Sequence, residues 1–294
     1  MRYFGRFVIS AVCVAALSLF SPNSSAWENG GRTKNISNPK YGTHDWIAEE
    51  SLKLLPENEQ AWIKDNIIYF LLGTEAPDNQ KIAREIIGMQ NALCYGDQSQ
   101  HNNYYDADGR LINNSASFRA QEEFDKSLEA LVNRDFQKAA FFAGAMAHYI
   151  SDLAVWAHVM GNEEREDPLR HAEFERSIDK TIQAKNFLDP NHTSIIFQRF
   201  VNSDGTLETT SAYQAAANVG LRTYRGSHYS CRQMERFLPM GKRQDGSYVD
   251  CDNWKEAYVT ETGVSINHAL NAIADVLHTL FTQSQQPNEL LERR

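Results

Sequence analysis

Residues 135–161 read DFQKAAFFAGAMAHYISDLAVWAHVMG, and the fold class turns on this stretch. It has no proline, and apolar residues recur on nearly every face, which predicts a helix over the whole of 135–161. A helix that is apolar all round belongs in a protein interior or a membrane. This one carries His148, Asp152 and His158 inside the apolar run. His148 and Asp152 are four apart and share a face, and a buried imidazole and carboxylate there require partners. A metal ion satisfies several such groups together.

Outward from this helix the chain reads as further helices. Thr43–Leu55 and Glu57–Leu72 have apolar residues near helical spacing, with Pro56 stopping the first and Gly73 the second. The loop GTEAPDNQ follows, and 81–93 reads as another short helix. Residues 94–114 are rich in Asn, Asp, Gly and Tyr and read as a long irregular loop, the kind that carries function. Ser117–Val132 is amphipathic, and Pro168 suits the first turn of a helix through Ala184. Helical patterns recur at 192–204, 208–223 and 254–284, with a looped excursion over 226–253. No long run alternates with period two and no repeat is evident, so the class is all-α.

Residues 1–26 have the pattern of a secretory signal. Arg2 and Arg6 precede the apolar segment Phe7–Phe20, and Ser24-Ser25-Ala26 offers small residues for cleavage after Ala26. An uncleaved anchor is the alternative, but the apolar segment is short for a span. Cleavage takes 26 residues from 294 and leaves one domain of 268, residues 27–294, beginning at Trp27 and exported to the periplasm or cell exterior. Losing Arg2 and Arg6 from 29 basic residues leaves 27 against 38 acidic ones, a formal charge of −11. Such a surface has no general attraction for nucleic acid or anionic lipid. Bound divalent ions reverse the sign locally, so a phosphate-bearing substrate stays within reach. With Cys13 removed, Cys231 and Cys251 are the preferred disulfide pair, both in an irregular region, and Cys94 is left over. None of the three has the CxxC spacing of a zinc thiolate site.

Five of nine histidines fall between 44 and 171: His44, His101, His148, His158 and His171. Acids accompany them. Asp78 lies in the loop after the second helix, and His171 with Glu175 repeats the four-residue spacing of His148 with Asp152. A lone histidine on an apolar face is usually a satisfied core residue, and an isolated His/Glu pair on a helix is usually solvated. The joint pattern differs: imidazole and carboxylate without thiolate is the donor set of catalytic zinc. His192, His228, His268 and His278 have no acid at chelating spacing and read as structural or surface residues.

Trp27, His44, Asp78, His101, the H-x-x-x-D-x5-H of 148–158 and the H-x-x-x-E of 171–175 resemble the bacterial zinc-dependent phospholipases C. The likeness, strongest in FFAGAMAHYISDLAVWAH and HAEFERSID, covers about 27–180, and the last helix resembles the family's closing helix. No clostridial-type β-sandwich follows it. The resemblance implies a single helical bundle around a cleft holding three zinc ions. One ion would take Asp78, His101, His148 and Asp152. A second would take the α-amino and carbonyl groups of Trp27, His44 and a bridging oxygen of Asp152. The third would take His158, His171 and Glu175, with open positions. It further implies hydrolysis of phospholipid at a membrane surface by zinc-activated water, giving diacylglycerol and a phosphorylated head group, with Asp78 a ligand that also orients or deprotonates the water. A free terminal amine is a good nitrogen ligand, with an ordinary pKa of roughly 8.

The chain departs from that family where aromatics would flank the Asp ligand and precede the loop His. Asn79 follows Asp78, and Gln98, Ser99 and Gln100 precede His101. Tyr95, Tyr104 and Tyr105 are the residues available to rebuild a cage for a quaternary ammonium, and Glu28 stands where an acid near the head group would. Two rival readings remain. One is a zinc-dependent single-strand nuclease with the same terminal Trp and trinuclear arrangement, against which stand the short His158–His171 gap, Glu175 and the negative chain. The other is a binding protein that zinc merely staples together, which closed four-ligand sites would mark.

Overall fold

The computed structural model describes residues 42–89, 95–106, 108–159, 175, 196–226 and 254–286. The expected disulfide Cys231–Cys251, Cys94, Trp27, Glu28, His171 and the leader lie outside the described residues. Within them the chain is helical: α1 Thr43–Leu52, α2 Glu57–Lys64, α3 Ile67–Glu75, α4 Gln80–Ile87, α5 Ser115–Val132, α6 Phe136–Asp152, α7 Ala212–Gly226 and α8 Trp254–Ser284. The all-α class stands. None of these helices is long and apolar enough to cross a membrane.

The bundle is organised around α6. Asp135 caps its start by accepting from the Lys138 N–H at 3.3 Å, and every residue from Ala139 to Asp152 is buried. Helices α3 and α5 pack against it along its length, and α1, α7 and α8 complete the enclosure. The α3–α6 crossing is a backbone contact. A Cβ on Gly73 would lie 2.0 Å from the Phe141 carbonyl oxygen, and one on Gly144 would lie 1.9 Å from that of Phe70. Gly73 is therefore inside α3 rather than its stop, because the crossing needs a residue without a side chain there.

Several expected boundaries move, each for a local reason. The helix expected over 135–161 ends at Asp152. Ala154 and Val155 donate back only three residues, to the carbonyls of Ser151 and Asp152, and Val155 is extended. A separate 3-10 turn, Trp156–His158, then carries His158. The helix expected over 57–72 is broken at Asp65–Asn66, where the Asn66 side-chain amide donates to the Trp62 carbonyl at 2.8 Å and competes with the helix ladder. The helix expected over 81–93 starts at Gln80 and ends at Ile87, before Gly88 in the left-handed region (φ 67°).

The loop expected over 94–114 holds more structure than composition suggested. A 3-10 turn, Gln98–His101, is followed by an antiparallel hairpin, β1 Asn103–Tyr105 with β2 Leu111–Asn114. The hairpin closes where the Asp106 carboxylate accepts from the backbone N–H of Asp108 and Arg110. Of the helix expected over 192–204, the described part holds only a 3-10 turn, Ile196–Phe200. The chain beyond it runs extended along α8. Backbone N–H groups of Asn202, Asp204, Glu208 and Thr210 donate to Asn267, Asn271, Asp275 and Thr279, four acceptors on one helix face.

Candidate metal centre

Two helices and three turns bring polar side chains to the C-terminal end of α6. α1 supplies His44, α6 supplies His148 and Asp152, the turn after α3 supplies Asp78, the turn before β1 supplies His101, and the turn after α6 supplies His158. Glu175 arrives from further along the chain. Asp152 is the hub. Its Oδ2 lies 2.7 Å from His101 Nδ1 and 3.1 Å from His148 Nε2, and its Oδ1 lies 3.3 Å from His44 Nε2 and 3.9 Å from His158 Nε2. Asp78 Oδ1 lies 3.7 Å from His101 Nε2 and 4.0 Å from His148 Nε2, and Glu175 Oε1 lies 3.8 Å from His158 Nε2. All but Asp78 are buried.

The end of α6 at Asp152 is what places His158. Six residues of continuous helix would turn it about 120° away from Asp152. The extended Val155 and the short turn after it return the ring to the cluster.

Each of three rings is oriented from behind. His148 Nδ1 donates to the Thr74 carbonyl at 2.6 Å. The Ser151 hydroxyl spends its proton on the His148 carbonyl and accepts from His44 Nδ1 at 2.7 Å. His158 Nδ1 donates to the Asn102 side-chain oxygen at 2.9 Å. All three rings therefore keep Nδ1–H on the outside and turn Nε2 inward, the arrangement in which outer partners fix a metal-binding imidazole. Thr74, Ser151 and Asn102 escaped the sequence reading. Ser151 and Asn102 are each one residue from a predicted ligand, which is a usable signal. Thr74 has none, because it depends on the α3–α6 crossing.

The donor set fits zinc. Four ligands at 2.0–2.1 Å around a tetrahedral zinc stand ~3.3 Å apart, and the Asp152, Asp78 and Glu175 oxygens lie 3.1 to 4.0 Å from the Nε2 atoms they face. Among the described residues, two groups have their ligand atoms close enough together to hold an ion: His44, His148 and Asp152, and Asp78, His101 and His148. Asp152 Oδ1 and His101 Nε2 are buried with no hydrogen-bond partner among the described residues. A buried lone pair without a donor is costly, and a cation removes the cost.

Without a cation the charges settle on the side chains. Burial drives the His148 imidazole down, but the Asp152 and Asp78 carboxylates outweigh it and hold it up at about 9. Burial acts to raise the Asp152 carboxyl, and the surrounding His148, His101 and His158 hold it well below the usual range. Burial and then the neighbouring His148 charge push His44 down. Asp78 is held low, because His148 and His101 overcome its burial.

Behind the cluster lies a second polar layer. The buried Arg119 guanidinium donates to Glu123 Oε1 at 2.6 Å and to the Tyr149 hydroxyl at 3.4 Å, and it also pairs with Glu122. Tyr95 donates to Glu123 Oε2 at 2.6 Å. The Tyr149 ring centre is 5.2 Å from that of His101. Tyr95 is thus built into the base of the loop that delivers His101. Tyr105 is equally unavailable for a cage: its hydroxyl donates to the Ala217 carbonyl at 2.8 Å and its ring stacks on Tyr224 at 5.3 Å. Tyr104 stays half-buried on β1 opposite Asn113. His268 and His278 stand apart from the cluster, bonded to Arg222 and Glu59.

Fold and site together define a helical protein with a buried histidine and carboxylate centre suited to zinc. The family described as zinc dependent phospholipase C matches residues 43–231, and the chain belongs to that family. No curated protein matches. Among solved structures, the alpha toxin of Clostridium absonum is similar at 16% identity with a TM-score of 0.51, covering 84% of this chain and 65% of that one. The alpha-toxin of Clostridium perfringens, from avian strain SWCP, is 16% identical with a TM-score of 0.46, covering 82% and 64%. The chain spans just under two thirds of either toxin. At that identity the first match speaks for the fold alone.

Proposed function

We propose that this chain is an exported zinc-dependent phospholipase C that hydrolyses glycerophospholipids to diacylglycerol and a phosphorylated head group. The observation that carries the reading is the Asp152-centred cluster, with its Nε2 atoms turned inward, lying in a chain of this family. Three zinc ions are proposed. Asp78, His101, His148 and Asp152 hold the first. His44, Asp152 and the terminal amine and carbonyl of Trp27 hold the second, and His158, His171 and Glu175 the third.

When bound, zinc lowers the pKa of water towards ~7 and stabilises charge developing on phosphoryl oxygens. The chain's own residues do the rest. Asp152 presents one oxygen to each side of the cluster, an arrangement that would let it serve both the first ion and the second. Thr74, Ser151 and Asn102 hold the imidazole rings against rotation. Asp78, at the edge of the cluster with some access to solvent, is first a ligand in this reading and also orients a water and accepts its proton. That water attacks phosphorus in line with the bond to the glycerol oxygen, and the glycerol oxygen leaves with the bonding pair and is protonated.

The amine of Trp27 can serve only after cleavage behind Ala26, since an unprocessed Trp27 offers an amide nitrogen. The deciding experiment compares zinc-loaded protein beginning at Trp27 with protein bearing one extra residue before it, on a panel of phospholipids. Head-group phosphate release is expected from the first and at least tenfold less from the second. Equal rates would remove Trp27 from the site. Digestion of single-stranded DNA with no lipid hydrolysed would favour the nuclease reading.

A further inference from the structure

We infer that Gln98 forms a carboxamide lip that selects head groups carrying hydrogen-bond donors, such as hydroxyls or a primary ammonium, over a quaternary ammonium. The inference rests on the phosphodiesterase reading of the metal centre and adds the class of substrate it takes. Gln98 is exposed, and its amide nitrogen donates to Asp78 Oδ1 at 2.9 Å. That oxygen is the one facing His101 and His148. On the other side of the cluster the Asn102 side-chain oxygen accepts from His158 Nδ1, and its amide donates to the Gln98 carbonyl at 3.3 Å. Gln98 thus stands at the Asp78 edge of the cluster, and the Asn102 amide behind His158 holds the turn that carries it.

A primary carboxamide has two N–H donors and an acceptor oxygen. Gln98 is exposed and spends one N–H on Asp78, which leaves its second N–H and its oxygen for other partners. A substrate seated over the cluster takes that amide out of water. A hydroxyl or ammonium replaces the lost hydrogen bonds. A quaternary ammonium has no N–H, and it covers the amide without answering it. Such a cation favours the face of an aromatic ring. The turn from Asp97 to Asn102 has no ring but His101, and the nearby Tyr105 is committed to Ala217 and Tyr224.

The test is calorimetric titration of the zinc-loaded protein with phosphoethanolamine, glycerol phosphate and phosphocholine, which share the phosphate and differ at the far end. The first two are expected to bind about tenfold tighter than phosphocholine, and which of them is tighter identifies the donor. Gln98→Met keeps the length and removes the donors at an exposed position, and it is expected to bring all three to the same affinity. Phosphocholine binding tightest, no binding of any probe, or an equal loss of all three in Gln98→Met would overturn the selection. The last outcome would leave Gln98 as a positioning residue for Asp78 only. Selective binding without hydrolysis of any lipid would sink the phospholipase reading and leave the lip standing.

Discussion

At the scale of the residue, Asp152 ties the centre together, because its two oxygens face different sets of rings. Asp152→Asn keeps the shape but replaces one oxygen with a nitrogen that cannot bind zinc well. Two zinc ions are expected to be lost together in metal analysis by atomic emission, and loss of only one would contradict the bridge. The pH response follows from His148, whose pKa is raised to about 9 from an ordinary 6.5. In chelator-treated protein this group contributes stability that is full below pH 6.5 and lost as pH rises through about 9. Over that interval the loss is about 3 kcal/mol. Denaturant unfolding at the two pH values checks it. His44, held below 6.5, acts only on the acid side of that interval. Zinc affinity runs the other way, rising with pH over the same range, because binding must displace the His148 proton from Nε2. Constant apo stability between the two pH values would contradict this assignment of the proton.

At the scale of the element, the α3–α6 crossing connects fold to chemistry. Gly73 and Gly144 let the two backbones touch, and one residue after Gly73 is Thr74, whose carbonyl orients His148 one turn after Gly144. Gly144→Ala forces the helices apart where a Cβ has no room. The expected cost is about 3 kcal/mol or more in denaturant unfolding, with weakened zinc binding alongside it. Unchanged stability in Gly144→Ala would mean the crossing is looser than described. The periodicity of α5, α6 and α8 was legible, because long apolar patterns survive local competition. The breaks at Asn66 and Val155 were not, because a side chain bonding its own backbone, or a short 3-10 turn, leaves no periodic trace. The hairpin over 103–114 was hidden for the same reason: strands of three and four residues are too short to alternate.

At the scale of the whole molecule, the cluster draws on segments from α1 to beyond α6, so an ion bound there staples most of the bundle. A ligand that binds only the folded state stabilises it by mass action, about 4 kcal/mol at a thousandfold excess over its dissociation constant. Chelation is therefore expected to lower the melting temperature by several degrees, and added zinc to restore it. A melting curve indifferent to chelator would argue against zinc at this centre.

The amino-acid sequence by itself determined the helical class, the apolar helix carrying His148 and Asp152, and which residue types would gather around it. Those follow from composition and spacing, which act locally. The shared place of Asp152 was already implied by the family resemblance, whereas only the tertiary structure decided that Thr74, Ser151 and Asn102 set the rings. It also decided that Tyr95 and Tyr105 serve packing, and that Gln98 stands over Asp78. These are contacts between residues far apart in the chain or turned by a break in a helix. Their geometry follows from how α3 meets α6 and from where α6 stops, neither of which has a local signature. The end of α6 at Asp152 is what lets His158 join the site.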